Sequence, residues 1–143
     1  ATLYRKRMSR LYSLLIWLSI TIAIVVQMIG KPFIVFLFGQ SYAQASAVLV
    51  LHIWAGLFVS IGVVNSQWFL SRNQQGTGAL FTVAGAVTNI ILNFVLIPPF
   101  GIIGAAAATT ISYAGAAFLF PMIHPRTREL FFLISRSFIL RSR

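Results

Sequence analysis

Four long apolar stretches dominate this sequence and constrain its fold more than any other feature. They cover residues 11–30, 46–70, 78–97 and 101–121. An α-helix rises about 1.5 Å per residue, so roughly 20 apolar residues cross the hydrocarbon core of a bilayer. A helix also satisfies its own backbone polar groups in lipid. The sequence therefore predicts an all-α, polytopic membrane helix bundle with four transmembrane helices.

The composition of the chain agrees with lipid as its solvent. Of its 143 residues, 59% are hydrophobic and 8% are charged, whereas a soluble domain carries roughly a quarter charged residues. Most cations form two terminal clusters that flank apolar runs, which favours a membrane and no nucleic-acid partner. These clusters are Arg5, Lys6, Arg7 and Arg10 at one end, and Arg126, Arg128, Arg136, Arg141 and Arg143 at the other.

Short links join the four stretches. The Pro-Pro-Phe-Gly link at residues 98–101 is a turn signal so tight that the third and fourth helices are expected to be antiparallel neighbours. Residues 71–77 form a short polar link. After the first stretch, Pro32 suits either a kink in an extended helix or the first turn of a short interfacial helix, and the sequence leaves both open.

The distribution of Lys and Arg predicts the orientation of the chain. With four crossings, both ends and the link at residues 71–77 share one side of the membrane and hold ten cations. Lys31 alone lies on the other side. Because cytoplasmic loops are enriched in Lys and Arg, we place both ends in the cytoplasm.

The chain divides at about residue 121. Residues 1–121 form the predicted transmembrane segment, and residues 122–143 form a basic cytoplasmic tail. Within this tail, Phe131, Ile134 and Phe138 recur at helical spacing among arginines, a pattern typical of a helix that lies on an anionic leaflet. A disordered basic tail is the alternative.

Residues that carry chemistry are scarce. No Asp or Glu lies in any of the four stretches, and the single acid of the chain is Glu129. Membrane enzymes that process polyprenyl phosphates usually need carboxylates to hold a metal or to move protons. Cysteine is absent, and His52 and His124 are predicted at opposite ends of the bilayer. We therefore predict no enzyme activity, catalytic residue, metal or cofactor.

Neutral polar residues recur along two of the predicted helices. His52, Gly56, Ser60 and Gln67 share roughly one face of the second helix, while Thr82, Gly85, Asn89 and Asn93 form a similar stripe on the third. Polar groups are costly to expose to lipid, so they face either a neighbouring helix or a wet cavity. In the fourth helix, Gly104, Ala108, Ser112 and Ala116 recur every four residues, which favours close helix packing.

Two segments carry a resemblance to a known family. Residues 89–109, NIILNFVLIPPFGIIGAAAAT, and residues 37–45, LFGQSYAQA, match its pattern in order and spacing. The chain resembles the C-terminal part of bacterial polysaccharide transporters, the flippases of lipid-linked oligosaccharides such as O-antigen units. Their superfamily also contains multidrug exporters and lipid II flippases. The resemblance covers about residues 11–121.

The resemblance implies a function for a larger protein. Such transporters have about twelve helices in two lobes, so we expect this chain to be a fragment, or the product of a disrupted gene, that lacks about eight preceding helices. The whole transporter would flip an undecaprenyl-diphosphate-linked oligosaccharide across the bacterial inner membrane for surface polysaccharide and lipopolysaccharide synthesis. Its partners would be this lipid-linked oligosaccharide, membrane lipids and the missing helices.

Five residues are candidates for substrate contact. Arg72 is the cation outside the terminal clusters on the cytoplasmic side, so it is the candidate for a headgroup contact; an arginine at a helix end also sets topology or contacts lipid phosphate. His52, Gln67, Asn89 and Asn93 are candidates for cavity lining. Alternative functions are a multidrug or lipid II exporter of the same superfamily, or a small four-helix membrane scaffold.

Overall fold

The computed structural model describes residues 2–138, and within them the chain is helical with no strand. This confirms the predicted all-α class. The α-helices are α1 (Thr2–Phe38), α2 (Ala43–Ser71), α3 (Gln75–Ala114), α4 (Phe120–Ile123) and α5 (Arg128–Phe138). Short 3₁₀ turns cover Gln40–Tyr42 and Pro125–Thr127, and a π-helical turn covers Gly115–Leu119. Residues 139–143, which include Arg141 and Arg143 of the predicted tail, lie outside the described residues.

Helix α1 is much longer than a single bilayer requires. Its 37 residues span about 55 Å, against roughly 30 Å of hydrocarbon. The helix continues through Pro32 to Phe38, so no separate interfacial helix forms after the first predicted span. Gly39 ends it with a positive φ of 86°, a conformation that glycine adopts without strain.

Helix α2 returns across the membrane and ends before a tight turn. Arg72 caps its last turn, and its backbone N–H donates to the carbonyls of Leu70 and Trp68. Asn73 follows with a φ of 56°, which asparagine tolerates better than most side chains. This turn places the start of α3 beside the end of α2.

Helix α3 contains two of the predicted spans. It holds Pro98 and Pro99, and Gly101 interrupts its helical backbone at φ 56° and ψ −134°. We call residues 75–100 α3a and residues 102–114 α3b. Contacts pair their positions in antiparallel order: the ring of Phe81 lies 6.0 Å from that of Phe120, and a Cβ on Gly85 would lie 3.1 Å from the Cβ of Ala116. The chain therefore reverses at Gly101.

Three helical segments are long and apolar enough to cross a membrane: Leu3–Phe38, Gln40–Ser71 and Gln75–Ile123. The last has 49 residues, more than twice the roughly 20 needed for one crossing. Because it reverses at Gly101, its two halves correspond to the third and fourth predicted spans. The chain is a multi-pass membrane protein.

The π-helical turn has a local cause. In an α-helix the carbonyl of Ala117 would accept from the N–H of residue 121, which is proline and has none. The backbone widens over Gly115–Leu119, where the N–H of Phe120 donates to the carbonyl of Gly115. The Ala117 carbonyl instead accepts from the side chain of Asn65 on α2, at 2.8 Å.

Helix α5 packs against the first part of α1. Leu130 and Ile134 are fully buried in a core with Met8 and Tyr12. The Ser13 hydroxyl donates to the carbonyl of Ser137 at 3.0 Å. The sequence predicts that this amphipathic helix lies on the leaflet, which stays a prediction; in the structure Leu130 and Ile134 are buried against α1, and Arg128 and Arg136 are exposed.

Candidate functional site

A cleft of about 890 Å³ lies between α2, α3a and α3b. Helix α2 contributes Asn65, Ser66 and Gln67, and the α3 hairpin contributes a further set of polar side chains: Gln75, Thr82, Asn89, Thr109, Ser112 and Tyr113. Aromatic and small apolar residues complete the walls. No side chain in this lining is ionisable near neutral pH, so the cleft offers neutral hydrogen-bonding groups.

Two of the five candidate residues meet in this cleft. Gln67 and Asn89 both line it, although they come from different helices and lie 22 positions apart in the sequence. Gln67 is exposed and Asn89 is half-buried. Their amides can both donate and accept, which suits hydroxyl and amide groups of a ligand.

Asn89 is oriented by its neighbours. Its amide Nδ2 donates to the Thr109 hydroxyl at 3.3 Å, and its Oδ1 accepts from Nδ2 of Asn93 at 2.9 Å. Asn93 does not belong to the cleft lining. Because its Nδ2 bonds to Asn89, Asn93 supports Asn89 from one turn away. Its own Oδ1 is buried without a hydrogen-bond partner among the described residues.

The other two candidates lie elsewhere. His52 is exposed on α2 and is not part of the cleft. Arg72 lies at the end of α2, where its Nη2 approaches Oε2 of Glu129 at 3.1 Å. Its guanidinium is also 5.6 Å from the centre of the Trp68 ring. The structure therefore separates the predicted polar set into a cleft pair, an exposed histidine and an arginine in an ion pair.

Asn65 is the residue that sequence reasoning undervalued. It is 3% exposed, it lines the cleft, and it connects three helices. Its Oδ1 accepts from the Tyr12 hydroxyl at 2.6 Å, and its Nδ2 donates to the Ala117 carbonyl. A proline late in an apolar span, here Pro121, was the available signal, because it frees the carbonyl four residues earlier.

The small residues of the fourth predicted span lie where helices pack closely together. Gly104, Ala108 and Ser112 are buried. A side chain on Gly104 would fall on the backbone carbonyl of Leu96 across the hairpin. Ser112 also lines the cleft, together with Asn89 and Thr109.

Metal ligation has no support in the described part of the chain. Residues 2–138 contain no group of three or more His, Asp or Glu side chains that could hold a metal ion. The polar side chains of the cleft can donate and accept hydrogen bonds to a polar ligand.

Comparison with known proteins gives a family match over almost the whole chain. The model of the family described as lipid II flippase MurJ matches residues 2–142. A probable low-salt glycan biosynthesis flippase from Haloferax volcanii is 40% identical over 77 residues. That alignment covers 54% of this chain and 16% of the archaeal protein, so the shared segment is about a sixth of the relative's length. No solved structure matches the chain at a significant level.

Proposed function

Since this chain belongs to the lipid II flippase MurJ family, we propose that it forms part of a transporter that moves a lipid-linked glycan across the cytoplasmic membrane. The chain contributes a multi-pass helical segment with both ends in the cytoplasm. It supplies binding surface and makes or breaks no covalent bond. The remaining helices of the transporter and the surrounding lipids are its partners.

The observation that carries this proposal is the neutral polar cleft in an otherwise apolar surface. A glycan presents hydroxyl and acetamido groups, and the side chains of Gln67, Asn89 and Thr82 can hydrogen-bond to such groups without a charge. Outside the cleft, large apolar side chains such as Phe94 and Met28 are 79% and 75% exposed. Lipid tails suit that surface, whereas hydrated sugar suits the cleft.

For the substrate, we propose an undecaprenyl-diphosphate-linked oligosaccharide used in surface polysaccharide synthesis, such as an O-antigen unit. The 40% identity to a probable glycan biosynthesis flippase supports this choice. Lipid II is the second candidate, and the name of the matching family supports it. Both substrates combine a polyprenyl diphosphate with a sugar, so the cleft serves either.

Complementation in two strains tests the proposal. The full-length gene is expressed in one strain without its O-unit flippase and with a matched O-unit, and in a second strain that can be depleted of its lipid II flippase. We expect restored polymeric surface glycan in the first strain and no rescue of growth in the second. Rescue of growth alone would favour lipid II, and failure in both strains despite confirmed membrane insertion would contradict the proposal.

A further inference from the structure

Three helices meet at a single carboxylate at the predicted cytoplasmic end of the bundle. Glu129 lies in the first turn of α5. Its Oε1 is 2.8 Å from Nε and 2.7 Å from Nη2 of Arg5, on α1. Nη2 of Arg72, at the end of α2, lies 3.1 Å from Oε2 and 3.3 Å from Oε1. Arg5 and Arg72 precede Glu129 by 124 and 57 positions in the sequence, and both contact its side chain.

The charges of this cluster do not balance. Glu129 is the single acid of the chain, and it faces two guanidiniums. Lys6, Arg126 and Arg128 are exposed on the same segments of the chain. Each guanidinium carries five N–H donors, and Arg72 uses one nitrogen, Nη2, for both of its contacts with Glu129. The cluster can accept a ligand with more negative charge than one carboxylate.

The carboxylate is held weakly. The side chains of Arg5 and Arg72 are 58% and 45% exposed, and that of Glu129 is 28% exposed. Ion pairs in such wet surroundings contribute little to stability, because solvent screens them. A stronger anion at the same place can therefore displace Glu129 without unfolding the bundle.

The helix ends that carry the two arginines are joined independently of Glu129. The hydroxyls of Tyr4 and Ser71 form a hydrogen bond between α1 and α2 directly beside them. The Arg72 guanidinium also lies over the ring of Trp68, which is 1% exposed and so fixed in the core. The distance between the backbone positions of Arg5 and Arg72 is thus set by α1 and α2, and α5 supplies the anion.

We propose that Arg5 and Arg72 bind the phosphate of a lipid headgroup, and that the carboxylate of Glu129 occupies this site when no phosphate is bound. Guanidinium groups bind phosphate with paired N–H donors, and a diphosphate offsets both positive charges. The neighbouring Leu3 and Leu70 are 62% and 60% exposed, so apolar surface for a lipid chain lies next to the charged groups.

Two lipids offer this chemistry: the diphosphate of the transported substrate and the phosphate of an anionic phospholipid. The existence of the site does not depend on transport. Its assignment to the substrate diphosphate rests on the proposed function. A binding measurement without transport therefore separates failure of the site from failure of the proposed function.

The test measures lipid binding to the purified full-length transporter by native mass spectrometry. The probes are undecaprenyl diphosphate, phosphatidylglycerol and inorganic pyrophosphate. The variants are Arg5→Gln with Arg72→Gln, and Glu129→Gln, with Arg7→Gln as a matched control for loss of an exposed cation on α1. Thermal unfolding of every variant reports whether the fold is kept.

We expect the double arginine variant to lower the affinity for a lipid phosphate by about tenfold or more, as two charge-assisted hydrogen-bonded contacts are lost. Glu129→Gln should raise that affinity several-fold, because the competing carboxylate is gone. Arg7→Gln should change it by less than about twofold, since this cation does not contact Glu129.

The three probes identify the source of the phosphate. If the variants change the affinity for undecaprenyl diphosphate alone, the site binds the diphosphate of the substrate. If they change the affinity for both lipids, it is a general site for lipid phosphates. Equal affinity for pyrophosphate would contradict the lipid part of the proposal. A purely structural ion pair predicts that Glu129→Gln lowers the melting temperature and leaves binding unchanged, and that result would overturn the site.

Discussion

Asn65 illustrates how one amide can hold several helices together in an apolar protein. Its oxygen and its nitrogen are both used, by the hydroxyl of Tyr12 and by the carbonyl of Ala117. Each group left without a partner in a buried site costs about 1–3 kcal/mol. Hydrogen bonds between transmembrane helices are measured at about 0.6 kcal/mol on average and about 1.7 kcal/mol at most. The two bonds of Asn65 therefore contribute a small part of the free energy of unfolding.

Replacing Asn65 with leucine should lower the free energy of unfolding by about 1–3 kcal/mol, because Tyr12 and the Ala117 carbonyl both lose a partner. Unfolding of the full-length protein in mixed micelles measures the change. Ser66→Ala is the matched control, since the Ser66 hydroxyl is exposed and donates within its own helix to Gly62. Equal losses in both variants would show that the Asn65 bonds add nothing specific.

Gln67 and Asn89 give a residue-scale test of the cleft. Changing both to leucine removes two hydrogen-bonding amides from its walls and should reduce complementation by about tenfold, given about 0.5–1.5 kcal/mol per hydrogen bond. Gln44→Leu provides the control, because Gln44 is exposed at the start of α2 and does not line the cleft. If the double variant were present in the membrane at an equal level and glycan synthesis were unchanged, the amides of Gln67 and Asn89 would not be needed for transport.

The sequence predicts some of the cleft residues and not others. Helical spacing identifies the polar residues that share a face of one helix, and so it selected Gln67 and Asn89. Residues that share a face can still differ in depth: His52 and Gln67 lie about 22 Å apart along α2, and only Gln67 lines the cleft. The pairing of Tyr12 with Asn65 joins positions 53 apart, which spacing within a helix cannot reveal.

Among the elements, the α3 hairpin depends most on particular residues. Pro98, Pro99 and Gly101 stop the helix and reverse the chain, and Gly104 lets the two halves touch at the backbone of Leu96. These residues are local signals, and the turn could therefore be predicted from the sequence. The same cannot be said of the docking of α5, because it depends on partners far away in the chain.

Gly104→Ala should disrupt the hairpin. The added methyl group would fall on the Leu96 carbonyl, and relief of such overpacking costs about 1–3 kcal/mol or more. Gly62→Ala is the matched control, because a Cβ there meets nothing within 4 Å. Fluorescence-detected size-exclusion chromatography of the full-length protein should show less monodisperse protein for Gly104→Ala alone, and identical profiles would refute the close approach.

For the whole molecule, the apolar exterior and the uneven distribution of cations define how the chain lies in the membrane. The helical segments expose large apolar side chains along their lengths. Cations are concentrated at the ends of α1, α2 and α5 that meet around Glu129. The positive-inside rule places this end in the cytoplasm, which remains a prediction for the chain.

Cysteine labelling tests this topology, since the chain has no native cysteine. Single cysteines at Gln40 and Phe100 should react with an impermeant maleimide in intact cells. Cysteines at Asn73 and Arg126 should react only after the membrane is permeabilised. Any other cysteines of the full-length protein are first replaced by serine, and the reversed labelling pattern would overturn the orientation.

The family match agrees with the combination of a polar cleft and an apolar exterior. A flippase of lipid-linked substrates needs a wet, polar surface within a protein that lipid otherwise surrounds. In the function that we propose, the cleft supplies the first and the exposed apolar side chains the second. The all-α membrane class and the flippase family could therefore be predicted from the sequence.

The bond between Asn65 and Ala117 also has a consequence for biosynthesis. Translation proceeds from the N-terminus, so α1 and α2 leave the ribosome before residue 117 is made. Tyr12 can then engage the oxygen of Asn65, while its nitrogen has no acceptor until the last crossing arrives. A nascent chain halted after α2 would carry this unsatisfied amide in lipid, which is a chemical difference between an incomplete bundle and a finished one.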